Sequence, residues 1–219
     1  MSISLAAGLD AGLKALALDL GSAQRQALLD YLVLLQKWNQ VYNLTAVRDP
    51  QAMLSHHLLD CLAVVAPLRT QLARLAVTAP IRLLDVGSGA GLPGLVLAIC
   101  LPQLQVDCVD TVAKKASFIQ QAALNLGLAN LRGLHARVES LTVAYHVVSA
   151  RAFSSLPDLV AGSDKALLAG GLWMAMKGKT PDEEIQALPP NAQAFHVEPL
   201  QVPGLDAQRC IVWMRRASA

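Results

Sequence analysis

The sequence predicts an α/β fold: a seven-stranded, mostly parallel sheet with an antiparallel last strand, preceded by a helical layer. Three observations carry this reading. A short apolar run, Ile81–Val86, ends in a cluster of glycines, Gly87, Gly89 and Gly91, and passes directly into a helical pattern. From Ile81 onward, strand-like and helix-like stretches alternate with short connections, the pattern of a parallel sheet covered on both faces. Before Ile81, leucines recur at helical spacing with no strand pattern.

Composition sets the bounds. The chain has 219 residues, of which 54% are hydrophobic and 16% charged, enough for a large core and too apolar for disorder. The formal charge of +2 gives no overall basic field, so any nucleic-acid site must come from a local cluster. Cys61, Cys100, Cys108 and Cys210 show no C-x-x-C spacing, and three of them, lying in apolar runs, read as small core hydrophobes of a reducing compartment. The first twenty residues lack a basic start and carry Asp10, a poor match to a signal peptide. No apolar run reaches the roughly 20 residues of a membrane span. A cytoplasmic protein is expected.

The helical layer is expected over residues 1–75, with the sheet domain over 76–219. Leu5, Leu9, Leu13, Leu16 and Leu20 predict a first helix, broken at Gly21. Ser22 is a fair N-cap for a second, which carries Leu28, Leu32, Leu35 and Trp38 on one face. Asp49-Pro50 is a cap followed by a first-turn proline, starting a third helix that runs to about Val65 and stops before Pro67. Thr70 to Pro80 reads as a connector. Strands are then expected at Ile81–Val86, Gln105–Asp110, Leu131–Ala136, His146–Ala150, Leu172–Lys177, Ala194–Leu200 and Arg209–Met214. Helices between them are expected at Leu92–Leu101, Ala113–Leu126, Leu156–Ala169 and Pro181–Leu188. Only a short polar link joins the last two strands, so they must pair antiparallel.

A strand, a glycine turn and a helix start make a nucleotide or cofactor site at the carboxyl end of a sheet. Two templates fit. Gly89-x-Gly91-x-x-Gly94 matches the dinucleotide fingerprint, with Asp110 at a suitable distance for a ribose. That match begins two residues late, because Gly87 already breaks the strand, and it leaves Asp85 where a pyrophosphate must approach. The other template, Asp85-Val86-Gly87-Ser88-Gly89-Ala90-Gly91, resembles motif I of class I S-adenosylmethionine (SAM) methyltransferases. A cofactor carrying a sulfonium and an ammonium tolerates that carboxylate, so SAM is favoured. Asp110, ending the second strand, can accept both ribose hydroxyls. Leu92 is expected to meet the cofactor through its backbone N–H.

Further segments resemble one family, the RsmG (GidB) methyltransferases of bacterial small-subunit rRNA. They are Trp38-Asn39-x-x-x-Asn43-Leu44-Thr45, His57-Leu58-Leu59-Asp60, the glycine motif through Gly94, Arg137-Val138-Glu139, Arg151-Ala152-Phe153-Ser154-Ser155-Leu156 and Lys177-Gly178. The resemblance runs from about Leu20 to Arg215, and its specific parts are the Asn-Leu-Thr and Arg-Ala-Phe segments. It implies a class I (Rossmann-like) fold and SAM-dependent methylation of guanine N7 at one site in 16S rRNA. It also implies cofactor contacts at Val138 and Glu139. Departures are Cys61 where serine is usual, His146 where aspartate is common, and Ala150 where serine often precedes the arginine; the last two are expected to flank the fourth strand's tip.

Arg151, at the carboxyl end of the fourth strand, is expected beside the cofactor. Arg137, Lys114, Lys115 and Lys177 follow strands at the same end and are expected to gather for RNA phosphates. Glu184 and its acidic neighbours are expected at the opposite edge, too far to cancel that field. Asn43, Thr45 and Arg48 are expected to border the substrate site from the helical layer, with capping of a turn as the alternative for Asn43. His56 and His57 lie one turn from Asp60, which predicts a helix-surface ion pair rather than a metal site. Guanine N7 carries an in-plane lone pair and no proton, so no catalytic acid or base is assigned. The expected partner is 16S rRNA, in the small ribosomal subunit or its precursor, acting on a monomer without membrane or metal. The competing readings are an NAD-dependent oxidoreductase and a SAM-binding regulator without turnover.

Overall fold

The structure, a computed structural model, describes residues 4–75, 77 and 80–217. Seven strands form one sheet: β1 (Arg82–Val86), β2 (Gln105–Asp110), β3 (Leu131–His135), β4 (Tyr145–Arg151), β5 (Leu167–Lys177), β6 (Ala192–Leu200) and β7 (Arg209–Arg216). Their spatial order is β3-β2-β1-β4-β5-β7-β6. The first five are parallel, and β7 is antiparallel to both β5 and β6. The order reverses between β1 and β4, where open α/β sheets hold their ligands at the carboxyl ends of the strands.

Side chains alternate faces along each strand, so neighbouring residues feed different cores. Leu83, Val147, Met174 and Trp213 join the larger core, under the N-terminal helices and α6 (Gly94–Cys100). Leu84, Val148, Trp173 and Val212 join the smaller one, under α8 (Leu156–Ser163). The helical layer shares the larger core with the sheet. Its helices α1 (Leu5–Ala15) and α2 (Ser22–Tyr42) bury Leu9, Leu13, Leu28, Tyr31, Leu32 and Leu35 there. Two polar contacts fix the docking. The buried Tyr31 hydroxyl donates to the Ala90 carbonyl inside the glycine turn (2.9 Å), and Gln24 Nε2 donates to the Ile99 carbonyl at the end of α6 (2.8 Å).

Local departures from the expected boundaries have physical causes. The first helix stops at Ala15, and Ala17 turns through the left-handed region (φ 51°), so Leu18 and Leu20 reach the core from a turn. Asp49 caps α3 (Pro50–Met53) through Oδ2 to the Ala52 N–H (2.7 Å), as its sequence implies. The helix then loosens into a π-helical turn, Leu54–Leu59, continues as α4 (Asp60–Leu62), breaks, and resumes as α5 (Val65–Arg74). Pro67 therefore ends nothing: it lies in the first turn of α5, where its missing N–H has no intrahelical partner to lose. Half of the expected connector is helix, and residues 76, 78 and 79 lie outside the described residues. The helix expected to reach Ala169 ends at Ser163, and β5 starts at Leu167, with Gly170 at φ 75°. His146 stands at the start of β4, away from its tip, where its Nδ1 accepts the Arg82 N–H (3.0 Å), a bond an aspartate would also make.

All four cysteines are free and buried, and burial pushes the Cys100 thiol up to about 12, which fits inert core residues. Among the described residues no helix is long and apolar enough to cross a membrane, and no group of three or more His, Cys, Asp or Glu side chains is arranged for a metal ion.

Candidate cofactor and substrate site

The glycine turn leaves β1 with three positive-φ residues: Gly87 (64°), Gly89 (57°) and Gly91 (85°). They are not equivalent. A Cβ on Gly91 would press on Leu95 and Ile119, and one on Gly87 would strike the Phe153 ring at 2.8 Å. A Cβ on Gly89 would meet nothing within 4 Å. Gly89 therefore presents bare backbone to open space, as a ligand cradle requires.

Asp110 sits at the end of β2, facing this turn. Its Oδ2 accepts the Gly89 N–H (3.0 Å) and its Oδ1 accepts the Val112 N–H (2.8 Å), while Lys115 Nζ lies 3.7 Å from Oδ2. The carboxylate thus fixes both the glycine turn and the start of α7 (Ala113–Asn125). Each oxygen keeps acceptor capacity for a second donor, such as a ribose hydroxyl. A cavity of about 180 Å³ opens beside it, lined by Gly87, Asp110, Arg137, Val138, Glu139 and Phe153 among others. Val138, in a short 3₁₀ turn, offers an apolar wall, and the exposed Glu139 a carboxylate, 3.8 Å from the exposed Arg137. The chemistry of this set fits SAM: an acceptor for the ribose and an apolar wall for adenine.

Three expected cofactor side chains do not line that space: Asp85, Leu92 and Arg151, the last of which belongs to a second cavity. Asp85 is fully buried: its Oδ2 accepts the Gly94 N–H (2.9 Å) and its Oδ1 accepts the Ser149 hydroxyl (2.9 Å). Burial pushes its carboxyl up to about 7. Its part is to hold the start of α6 against β1 and β4, not to meet a sulfonium. The Leu92 side chain is core, as expected, but its N–H, the group expected to meet the cofactor, is bonded to the Ser88 carbonyl (3.0 Å).

A second cavity, of about 420 Å³, is lined by Asp60, Arg151, Ala152, Phe153, Met176, Lys177, Gly178 and Arg209, and Phe153 lines both cavities. Arg151 belongs to this one and not to the pocket of Asp110. Its Nη1 donates to Asp60 Oδ2 (3.0 Å) and to the His56 carbonyl (3.1 Å), while Arg209 Nε donates to Asp60 Oδ1 (3.0 Å). Asp60 is almost wholly buried, and both arginines are partly exposed, so one carboxylate holds two guanidinium groups at the cavity wall. The π-helical turn makes this possible. The Asp60 N–H bonds to the carbonyls of Ser55 and His57 and passes over His56, whose oxygen takes the arginine instead. Ala152, at φ 53°, holds a strained backbone between Arg151 and Phe153, turning them into adjoining spaces.

The expected histidine–Asp60 pair does not form. His57 is buried, its Nε2 lies 2.7 Å from Thr45 Oγ1, and burial with the nearby Arg151 charge lowers its pKa to about 4. An imidazole so placed is neutral and ties the Asn-Leu-Thr loop to the π turn. Because the unfolded histidine titrates near 6.5, the unfolded chain binds more protons between about pH 4 and 6.5, so this contribution is whole above that window and lost through it on acidification. We expect the melting-temperature difference between the native protein and a His57→Gln variant to move against the native protein from pH 7 to pH 5, by the equivalent of about 1–2 kcal/mol. A difference that stays constant with pH would overturn this.

The basic residues gather only in part. Lys177 Nζ is paired with Glu184 Oε2 (2.7 Å) and donates to the Ser154 carbonyl (3.0 Å). Glu184 thus cancels the charge it was expected to leave free, because α9 (Asp182–Gln186) folds straight back over the end of β5. Lys115 is turned to Asp110, and Lys114 is exposed on the first turn of α7. Arg48 donates to Asn43 Oδ1 (3.0 Å), and Asn43 ends α2 in the left-handed region (φ 49°). Arg209 lines the site without having been singled out, and Phe153, quoted only as part of the Arg-Ala-Phe segment, lines both cavities. Arg209 comes from β7, and nothing local in sequence places it beside Asp60.

A family profile described as rRNA small subunit methyltransferase G matches residues 24–212. Among curated relatives, "Ribosomal RNA small subunit methyltransferase G" of Paracidovorax citrulli (strain AAC00-1) is 64% identical, over 97% of this chain and 90% of its own length. The protein of the same name from Acidovorax ebreus (strain TPSY) is 62% identical, over 97% and 96%. Solved structures share the fold: TrmN from Thermus thermophilus (TM-score 0.56, 23% identity, 75% of this chain and 53% of that one) and a SAM-dependent methyltransferase from Aquifex aeolicus (TM-score 0.52, 14% identity, 76% and 93%). With the class I sheet order, the Gly89–Asp110 cradle and a profile that spans nearly the whole chain, this protein belongs to the rRNA small subunit methyltransferase G family.

Proposed function

We propose that the protein transfers a methyl group from SAM to guanine N7 of 16S rRNA, acting on the small ribosomal subunit or its precursor. The observation that carries the reading is the juxtaposition of two spaces across Phe153: the pocket of Asp110 on one side and the Arg151–Asp60–Arg209 cavity on the other. Gly87, Gly89, Asp110, Val138 and Glu139 hold the cofactor, with Asp85, Gly91 and Leu92 shaping the turn from behind. When bound, SAM supplies an electrophilic methyl on a sulfonium. Because N7 offers a free lone pair, the residues need only align it, and catalysis rests on proximity and orientation. Arg151 and Arg209 are held beside the entering guanosine, where they can fix a phosphate or the base's O6. The target base has to leave its stack to enter. Asn43, Arg48, Lys114 and Arg137 hold RNA further out, Lys115 reaches it only by leaving Asp110, and Lys177 contributes as half of a neutral pair. The enzyme works as a cytoplasmic monomer, with residues 1–75 as an extension of a methyltransferase domain over 76–219.

The test is transfer of labelled methyl from SAM to 16S rRNA, followed by mapping of the modified nucleotide. Label on guanine N7 supports the reading; none on rRNA, or label on another atom, overturns it. Asp110→Ala is expected to weaken SAM binding by about 1–3 kcal/mol through loss of charge-assisted hydrogen bonds, read by calorimetry. Unchanged affinity in a folded variant would remove Asp110 from the site.

A further inference from the structure

The carboxyl end of α2 breaks the amphipathic rule. Val41 and Tyr42 are exposed (71% and 40%), although the helix buries Leu28, Leu32 and Leu35 on its core face. Tyr42 does not stand alone. Its ring lies 5.1 Å from that of Trp38 at 34°, and Trp38 lies 5.4 Å from Phe118 at 60°. Phe118 is buried, and it follows Lys114 and Lys115 by one turn of α7. The aromatic row therefore runs from the helix that begins beside Asp110 out to the surface, with its last ring partly in solvent. Positive charge borders it. Lys114 is exposed one turn before Phe118 on α7, and Arg48 is held against Asn43, the residue after Tyr42.

We propose that Tyr42, backed by Trp38, is a stacking platform for an unpaired base of the RNA flanking the target guanine. This rests on the rRNA reading above and names one contact within it. Three features favour a base over a protein side chain as the occupant. A flat ring held rigid by a second ring is what a splayed-out base stacks on. The bordering charges are cationic, matching a phosphate backbone. The row starts at Phe118, one turn along α7 from Lys115, which meets Asp110 at the cofactor cradle.

The experiment measures binding of a 16S rRNA transcript across a salt series for the native protein, Tyr42→Ala and Tyr42→Phe, with calorimetric SAM binding in parallel. Tyr42→Ala is expected to bind RNA about ten-fold more weakly, with the slope of log affinity against log salt unchanged, because stacking releases no counterions. Tyr42→Phe should bind like the native protein, and SAM affinity should hold throughout. Tryptophan emission adds a direct readout. Trp173 and Trp213 are fully buried and Trp38 is not, so RNA should alter the emission through Trp38 and protect it from acrylamide. Native affinity in Tyr42→Ala would overturn the platform while leaving the rRNA reading intact; no binding by the native protein would overturn both. A weakened variant with a smaller salt slope, or a loss seen with small subunits but not with the transcript, would also overturn it, the last by pointing to a ribosomal protein.

Discussion

Gly89→Ala is expected to lose SAM binding by at least about 100-fold while the protein stays folded. Gly89 is at φ 57° and its missing Cβ faces open space rather than protein atoms. The left-handed alanine itself costs about 1–2 kcal/mol, which in a chain of this size lowers the melting temperature by roughly 2–8 °C. The methyl group occupies the cradle beside Asp110, where the cofactor's backbone contact belongs. Gly91→Ala makes the contrast: there the methyl presses on Leu95 and Ile119, so the larger effect falls on stability. Calorimetry and thermal melts on both variants separate the two. A Gly89→Ala protein that binds SAM normally would show the turn to be structural.

Asp60→Ala is expected to cost about 3–5 kcal/mol of stability and to abolish methyl transfer. The carboxylate is buried and pairs with two guanidinium groups, and removing it leaves both cations without their shared partner. The stability loss alone would not distinguish scaffold from site. The triple variant Asp60→Leu with Arg151→Met and Arg209→Met does, because replacing every member of a buried ion triad with apolar groups is often close to neutral. It should regain most of the melting temperature and none of the transfer, with SAM affinity kept. Recovered transfer in the triple variant would show that the arginine–carboxylate array only braces the fold.

The sheet was readable because its signals are local. Most strands from Ile81 onward are short, largely apolar runs, and the missing crossover between the last two strands dictates their antiparallel pairing. Gly89 and Asp110 were readable for the same reason: a glycine turn and a strand-end carboxylate are local patterns, and the sheet brings them to 3.0 Å. What was not readable depends on pairing across the chain. Asp85 looks like a ligand group in sequence, and only the Gly94 and Ser149 donors show it to be internal. Lys177 looks like a free cation until α9 returns Glu184 to it. The Asp60–Arg209 contact spans 149 residues, and the π turn that aims Asp60 has no period that a hydrophobic pattern would reveal.

That turn also limits how this chain can change length. A π-helical segment is an α-helix with one residue inserted, and each residue of an α-helix advances it by about 100°. Deleting any single residue between Leu54 and Leu59 would let the segment relax to regular α-helix, which is the lower-energy backbone. The relaxed helix could not keep both ends where they are: either Met53 would leave the larger core, or Asp60 would swing away from Arg151 and Arg209. Shortening by one residue here is thus a change of function disguised as an improvement in helical regularity, and viable chains of this lineage are expected to retain the extra residue even where the side chains around it drift.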